Sequence, residues 1–133
     1  MLSEKQLDIL RERRAKVLAG GGEDKLQERH AKGLLGARER LLALFQPDTF
    51  QEIATHAKHA AKHFGLADKE LPSDGVIVGT GFVDGRPVAA FSQDFTVMGG
   101  TLGKMHAKKI VQSMQLALKI GAPVVAFKDS AGA

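Results

Sequence analysis

Paired glycines at 99 and 100 separate an apolar run from a basic segment in the stretch FSQDFTVMGGTLGKMHAKKI, residues 91–110. Glycine pairs expose backbone N–H groups, and a helix opening just after them adds about half a positive charge at its N-terminus. With Lys104, Lys108 and Lys109 in the first turns, the arrangement suits a phosphate or a developing oxyanion. The alternative is a glycine turn followed by a lysine-bearing solvent face. A second cluster, DSAGA at 129–133, follows the apolar run APVVAF. Parallel sheets place ligand sites beyond the carboxyl ends of their strands, and consecutive N–H groups among small residues can form an oxyanion hole. The plainer alternative is a strand-to-helix turn capped by Asp129 or Ser130. Ser130 is a poor nucleophile candidate, because no G-x-S-x-G surrounds it and no partner base can be assigned.

Three further patterns are weaker. His56, His59 and His63 fall at i, i+3 and i+7 and would share a helix face, but no carboxylate joins them and Lys58 and Lys62 sit beside them. Zinc sites draw ligands from several elements, so a solvated polar face is the better reading. A Walker loop would need glycine at 98 and Ser or Thr at 105, and both positions are methionine. GTGFVDG at 79–85 runs into a hairpin signal instead of opening a helix, so it is not a dinucleotide fingerprint.

The elements that must position these residues follow from the pattern. Ser3 and Gln6 form a capping box ahead of a helix carrying Leu7, Leu10 and Val17 on one stripe, and Gly20, Gly21 and Gly22 end it. The charged stretch 23–45 is interrupted by Gly33 and Gly36, and GARERLLALF is its clearest helix. Residues 1–50 therefore read as a helical N-terminal arm ahead of a denser unit at 51–133. From Gly75 the chain becomes β-rich: GVIVGTGFV, a DG hairpin signal at 84–85, then RPVAAF. KMHAKKIVQSMQLALKI has helical period, with Ala107, Ile110, Val111, Met114, Ala117 and Leu118 on one side, and Gly121 and Pro123 stop it. APVVAF, a continuous apolar run, reads as a buried parallel strand completing a right-handed βαβ crossover.

Composition narrows the function classes. The 133 residues carry 19 basic and 15 acidic side chains, a net charge of +4, compatible with an anionic ligand. Nucleic-acid binding is disfavoured by the lack of Tyr and Trp for base stacking and of one long basic run. Without cysteine there is no disulfide, thiolate metal site or thiol nucleophile. No apolar run approaches the ~20 residues of a membrane span, and the charged N-terminus is unlike a secretory signal, so a cytoplasmic protein without direct membrane insertion is expected.

From about His30 to Ala133 the sequence resembles the carboxyltransferase (β) subunits of biotin-dependent acyl-CoA carboxylases, of the propionyl-CoA carboxylase and methylmalonyl-CoA decarboxylase type. FSQDFTVMGGTLGKMHAKKI and IGAPVVAFKDSAGA carry the resemblance most strongly. HAKGLLGARERLLALFQPDTFQEI is similar to the family's HxKGKLTARERI…LLDxGSFxE region, and VIVGTGFVDGRPVAAFSQDF to its first hairpin.

The resemblance implies an α/β crotonase-like fold of ββα repeats, here a partial N-domain carrying the acyl-CoA side. It implies transfer of a carboxyl group from carboxybiotin to the α-carbon of a short acyl-CoA such as propionyl-CoA, with no side-chain base required. The family's DSGGAR turn maps onto Asp129, Ser130, Ala131 and Gly132, so the oxyanion donors would be the N–H groups of Ala131 and Gly132. Ala131 replaces a glycine there, and its N–H can serve if φ is negative. The family's GGS/T loop maps onto Gly99, Gly100 and Thr101 beside the acyl-CoA, and Lys104 joins them from the basic helix mouth. Implied partners are biotin, carried as carboxybiotin on a partner protein, biotin carboxylase and biotin carboxyl carrier subunits, and a homo-oligomer, hexamer-like in the family, or a longer carboxyltransferase chain. Alternatives are a methylmalonyl-CoA or glutaconyl-CoA decarboxylase subunit, or a non-catalytic binding and assembly fragment. Family members are several times longer, so this chain is expected to be an N-terminal portion that does not catalyse transfer alone.

Overall fold

The computed structural model describes residues 1–57 and 71–133. The Ser3 capping box forms: the Gln6 N–H donates to Ser3 Oγ at 3.3 Å and the Ser3 N–H donates to Gln6 Oε1 at 2.9 Å. It starts α1 (Glu4–Leu18), which buries none of its side chains. α2 (Glu23–Ala31) and α3 (Ala37–Leu44) follow, tied by His30 Nε2, which lies 2.8 Å from Glu39 Oε2 across the intervening loop.

Four strands form one sheet in the order β1 (Gln51–Ile53), β2 (Val76–Val83), β3 (Arg86–Gln93), β4 (Val124–Phe127). β1–β2 and β2–β3 are antiparallel, and β3–β4 is parallel, connected by α4 (Lys104–Ile120). At the β2–β3 turn Asp84 and Gly85 both have positive φ, 50° and 73°, as the mirror-image hairpin turn demands. The expected hairpin, helix and parallel crossover are thus present, while β1 carried no sequence signal beyond its turn residues.

Alternation along β2 and β3 sends side chains to two layers. Ile77, Val88 and Ala90 pack with Ala37, Leu41 and Phe45 around α3, while Val76, Val78 and Phe91 pack with Ile53 and Ile110 towards α4. Gly81 makes room for α3's end, because a Cβ there would run into the Phe45 ring.

Two expectations fail here. The buried stripe of α4 is His106, Lys109, Ser113 and Ala117. The expected apolar side is split: Ala117 is buried and Ile110 packs on the core, while Val111, Met114 and Leu118 are exposed. The helix must answer polar groups of the turn beneath it, so its polar edge goes inside. β4 is not fully buried either: Val125 and Phe127 pack on the α3 layer while Val124 and Ala126 face outward. Among the described residues it has a sheet neighbour on one side only, so its other edge is unpaired.

Leu41 is fully buried between α3 and the sheet, whereas Leu42 is 59% exposed. Leu41→Ala should lower stability by about 3 kcal/mol and Leu42→Ala by under about 0.5 kcal/mol, measured by urea unfolding. Equal losses would show that α3 does not dock as described.

Candidate functional site

The N-terminus of α4 is already occupied by an anion from the same chain. Residues Pro72–Gly75 form a tight turn in which Ser73 and Asp74 hold positive φ of 54° and 49°. This aims the Asp74 carboxylate at the helix, where its Oδ2 accepts the His106 N–H at 2.7 Å. The dipole that the sequence offered to a ligand is spent on Asp74.

Lys109 is likewise internal, at 1% exposure. Its ammonium donates to the Val76 carbonyl at 2.6 Å, to the Ser73 carbonyl at 3.0 Å and, very closely, to Ser73 Oγ. Burial pushes its pKa down to about 8, against the pull of Glu52 and Asp74. The lysine expected at a ligand therefore serves the 72–76 turn, and only Lys104 and Lys108 stay on the exposed side of the helix mouth.

His106 is also fully buried. Its Nδ1 lies 2.8 Å from the Asp74 carbonyl oxygen, which can only accept, so Nδ1 carries the proton. Nε2 then accepts from Gln93 Nε2 at 3.2 Å, which leaves Gln93 Oε1 to accept the Asp129 N–H at 3.0 Å. Burial pushes the imidazole below its usual pKa, outweighing the Asp74 carbonyl and carboxylate, which favour protonation.

The two glycine-rich segments meet. Ala131 N–H donates to the Gly99 carbonyl at 2.9 Å and Leu102 N–H to the Gly132 carbonyl at 2.8 Å. Gly100, with φ of 62°, lies so close to the turn that a Cβ would collide with the Asp129 carbonyl. Its missing side chain therefore serves loop-to-turn packing. Thr101 Oγ1 closes the loop on the Met98 carbonyl at 2.9 Å. Gly132 N–H donates to Ser130 Oγ at 3.1 Å, and Ala131 does not adopt positive φ.

Asp129 caps nothing; it is gripped by two arginines. Oδ2 accepts from Arg29 Nη2 at 2.5 Å and from Arg40 Nη2 at 2.8 Å. Burial works to raise the carboxyl's pKa, but Arg40 and Arg29 overcome it and hold it below the usual range. Arg29 also lies over the Phe95 ring, 5.8 Å from its centre. Beside this grip opens a cavity of about 770 Å³, lined by Lys16 of α1, Lys25 and Arg29 of α2, Lys32 just beyond α2, and by Gly99 and Asp129. Its wall is fixed by the α1–α2 junction, where Gly21 N–H donates to Thr96 Oγ1 at 3.0 Å and Lys25 Nζ to the Thr96 carbonyl at 3.3 Å.

Gly99, Gly100 and Thr101 are thus brought against Ala131 and Gly132, whereas Lys104 stays on the exposed side of the helix mouth. His59 and His63 lie outside the described residues, and among those described no three metal-ligating side chains cluster. Asp74, Gln93, His106, Arg29 and Arg40 were not singled out by sequence. One signal existed for Arg40: it shares the face of Ala37, Leu41 and Leu44, and a guanidinium on an apolar helix face needs a buried anion.

The carboxyl transferase domain family matches residues 28–133. The chain is 51% identical over 130 residues to the methylmalonyl-CoA decarboxylase subunit alpha of Veillonella parvula, covering 98% of this chain and 26% of that protein. It is 47% identical over 133 residues to a propionyl-CoA carboxylase carboxyltransferase subunit of Haloferax mediterranei, all of this chain and 26% of that one. The crystal structure of transcarboxylase 12S, a hexamer with methylmalonyl-coenzyme A bound, superposes with a TM-score of 0.95 at 42% identity, over 100% of this chain and 26% of that chain. The chain spans about a quarter of the length of these relatives. The crotonase-like α/β fold implied by the resemblance is the fold it has. Among the described residues no helix is long and apolar enough to cross a membrane.

The buried Lys109 makes stability pH-dependent. Below about pH 8 it is protonated in both folded and unfolded chains, and the burial penalty is constant. Above that, the folded chain releases a proton that the unfolded chain keeps until about 10.5, so stability rises with pH through this window. Relative to Lys109→Met, the unmodified chain should gain up to about 3 kcal/mol by the top of that range. Urea unfolding at stepped pH measures it, and a flat difference would refute the buried ammonium.

Proposed function

The chain belongs to the carboxyl transferase family, and from that premise we propose that it forms the acyl-CoA side of a biotin-dependent carboxyltransferase acting on a short acyl-CoA such as propionyl-CoA. The observation that carries this is the cavity, about 770 Å³, lined both by basic side chains of the α1–α2 region and by Gly99 and Asp129, one residue from each of the two segments that meet there. That size lies within the usual range for ligand pockets. Lys16, Lys25, Arg29 and Lys32 suit the phosphates of a coenzyme A, and the small residues Ser130, Ala131 and Gly132, next in sequence to the lining residue Asp129, suit a thioester.

In this proposal the thioester oxygen takes the place of Gly99's carbonyl and Ser130 Oγ on the N–H groups of Ala131 and Gly132. Charge developing on that oxygen, as the α-carbon gives up its proton ahead of carboxylation or gives up its carboxyl group in the reverse direction, is then stabilised by donors held in advance. The non-positive φ of Ala131 lets alanine stand for glycine there without losing its N–H. Gly99, Gly100 and Thr101 shape the loop against which the acyl end lies, and Lys104 adds charge at its rim. Carboxybiotin, borne by a carrier partner, supplies the carboxyl group when it docks. The donors in this chain fit a thioester and phosphates, and they serve carboxylation and decarboxylation equally. Within the same proposal, residues 1–50 form a helical arm and 51–133 part of the catalytic N-domain. The arm supplies most of the basic lining, and the unit works in a larger oligomer with biotin carboxylase and carrier subunits.

Titration calorimetry of the 133-residue chain with propionyl-CoA and with free biotin tests the assignment. Propionyl-CoA should bind and biotin should not; tighter binding of biotin would overturn it. Ser130→Ala removes the internal acceptor of the Gly132 N–H and should leave propionyl-CoA binding intact or tighten it up to about fivefold, the worth of one hydrogen bond. A loss of binding would argue that Ser130 itself touches the ligand.

A further inference from the structure

We propose that Gln93 and His106 are positioning residues of the acyl-CoA site, a relay that sets the Asp129–Gly132 turn from the base of α4; this rests on the reading of that turn as the thioester site. Each link dictates the next. The Asp74 carbonyl can only accept, so it fixes the proton of His106 on Nδ1. His106 Nε2 can then only accept, so it fixes the NH2 end of the Gln93 amide. The amide's other end is an oxygen, and it takes the N–H of Asp129. Arg29 and Arg40 hold the carboxylate of the same residue. Side chain and backbone of Asp129 are thus pinned from three elements, α2, α3 and β3, with α4 behind β3, and the peptide leading into Ser130, Ala131 and Gly132 has one orientation.

The relay has a single consistent arrangement because its central members are shut away from water. His106 is fully buried and Gln93 is 8% exposed, so solvent cannot substitute for a lost partner. Protonation of His106 Nε2 would set two donors against each other. Gln93 would have to turn its oxygen to the imidazolium, and its NH2 would then oppose the Asp129 N–H. The charged groups around His106 are the Asp74 carboxylate on the 72–75 turn and the Lys109 ammonium on α4, of opposite effect. Gln93, from β3, is neutral.

The experiment uses the 133-residue chain and two variants, followed by imidazole 15N NMR, by backbone amide shifts and by propionyl-CoA and CoA affinities across pH. At neutral pH His106 should be the Nδ1–H tautomer; the Nε2–H form would overturn the relay. Gln93→Met should shift the amides of Asp129, Ala131 and Gly132 and weaken propionyl-CoA about fivefold while leaving CoA, which has no thioester, within about twofold. Gln93→Glu accepts the Asp129 N–H but offers His106 no donor, so its imidazole should take a proton at higher pH than in the unmodified chain. Propionyl-CoA should therefore bind Gln93→Glu better as pH falls through that titration, while it binds the unmodified chain worse. Parallel pH profiles would reduce Gln93 to packing and sink the proposal. If a variant does not fold, the tautomer and the joint movement of the His106 and residue 129–132 signals in the unmodified chain decide the matter. Should those signals couple while propionyl-CoA leaves residues 131 and 132 unmoved, the relay stands and the acyl-CoA reading falls.

Discussion

Parallel pairing of β3 with β4 is the constraint from which the site follows. Ser92 aligns with Phe127, so both strands release their chains at one end of the sheet within two residues of each other. The 94–103 loop and the 128–133 turn are then neighbours before any side chain acts, and two backbone hydrogen bonds close them together. A crossover through α4 is the means by which a short chain makes that pairing, and it explains why the loop between β3 and α4 needs glycines: the strand ends are one sheet spacing apart, and a Cβ at Gly100 would meet the Asp129 carbonyl.

Charge placement inside the molecule inverts what the charge pattern suggests. Of the three lysines at the helix mouth, Lys109 is used on carbonyls of the 72–76 turn of the same chain. The helix dipole meets Asp74. The cations that face the cavity come instead from α1 and α2, far earlier in sequence. Asp129 joins the two systems. Its pairing with Arg29 and Arg40 ties the helices that carry the basic lining to the turn that carries the small residues. Two guanidiniums on one part-buried carboxylate leave net positive charge beside the cavity, so the grip that orders the turn also favours an anion there.

Local rules were legible in the sequence and long-range polar ones were not. The Ser3 capping box, the Asp84–Gly85 hairpin and the crossover helix ending at Gly121 depend on neighbours a few residues apart, and each forms where the pattern put it. Quoted motifs of the family also located the two glycine-rich segments. The period of α4 was right and its face only in part, with Ile110 and Ala117 inside but Val111, Met114 and Leu118 outside, because hydrophobicity alone cannot weigh a ring of turn carbonyls that demands Lys109 beneath the helix. Arg29 with Asp129, 100 residues apart, leaves no trace in spacing. Gln93 and His106 read as ordinary polar residues of a strand end and a helix, since their meaning lies in a chain of donors and acceptors that only three-dimensional placement creates.

A site built of backbone N–H groups shifts the demands on the sequence from the reacting residues to their supports. Ala131 can replace glycine because the chemistry asks only for its N–H and a non-positive φ, both of which alanine provides. The N–H groups of Ala131 and Gly132 cannot be tuned by changing a side chain pKa, so their direction is the only variable left, and direction is set by what holds the preceding peptide. That is why the polar groups concentrated around Asp129 are buried or half-buried, paired with one another and drawn from β3, α2 and α3, with α4 behind them. An error of orientation there would weaken every donor beyond it, whereas a change at Ser130 or Ala131 alters contacts within the turn only.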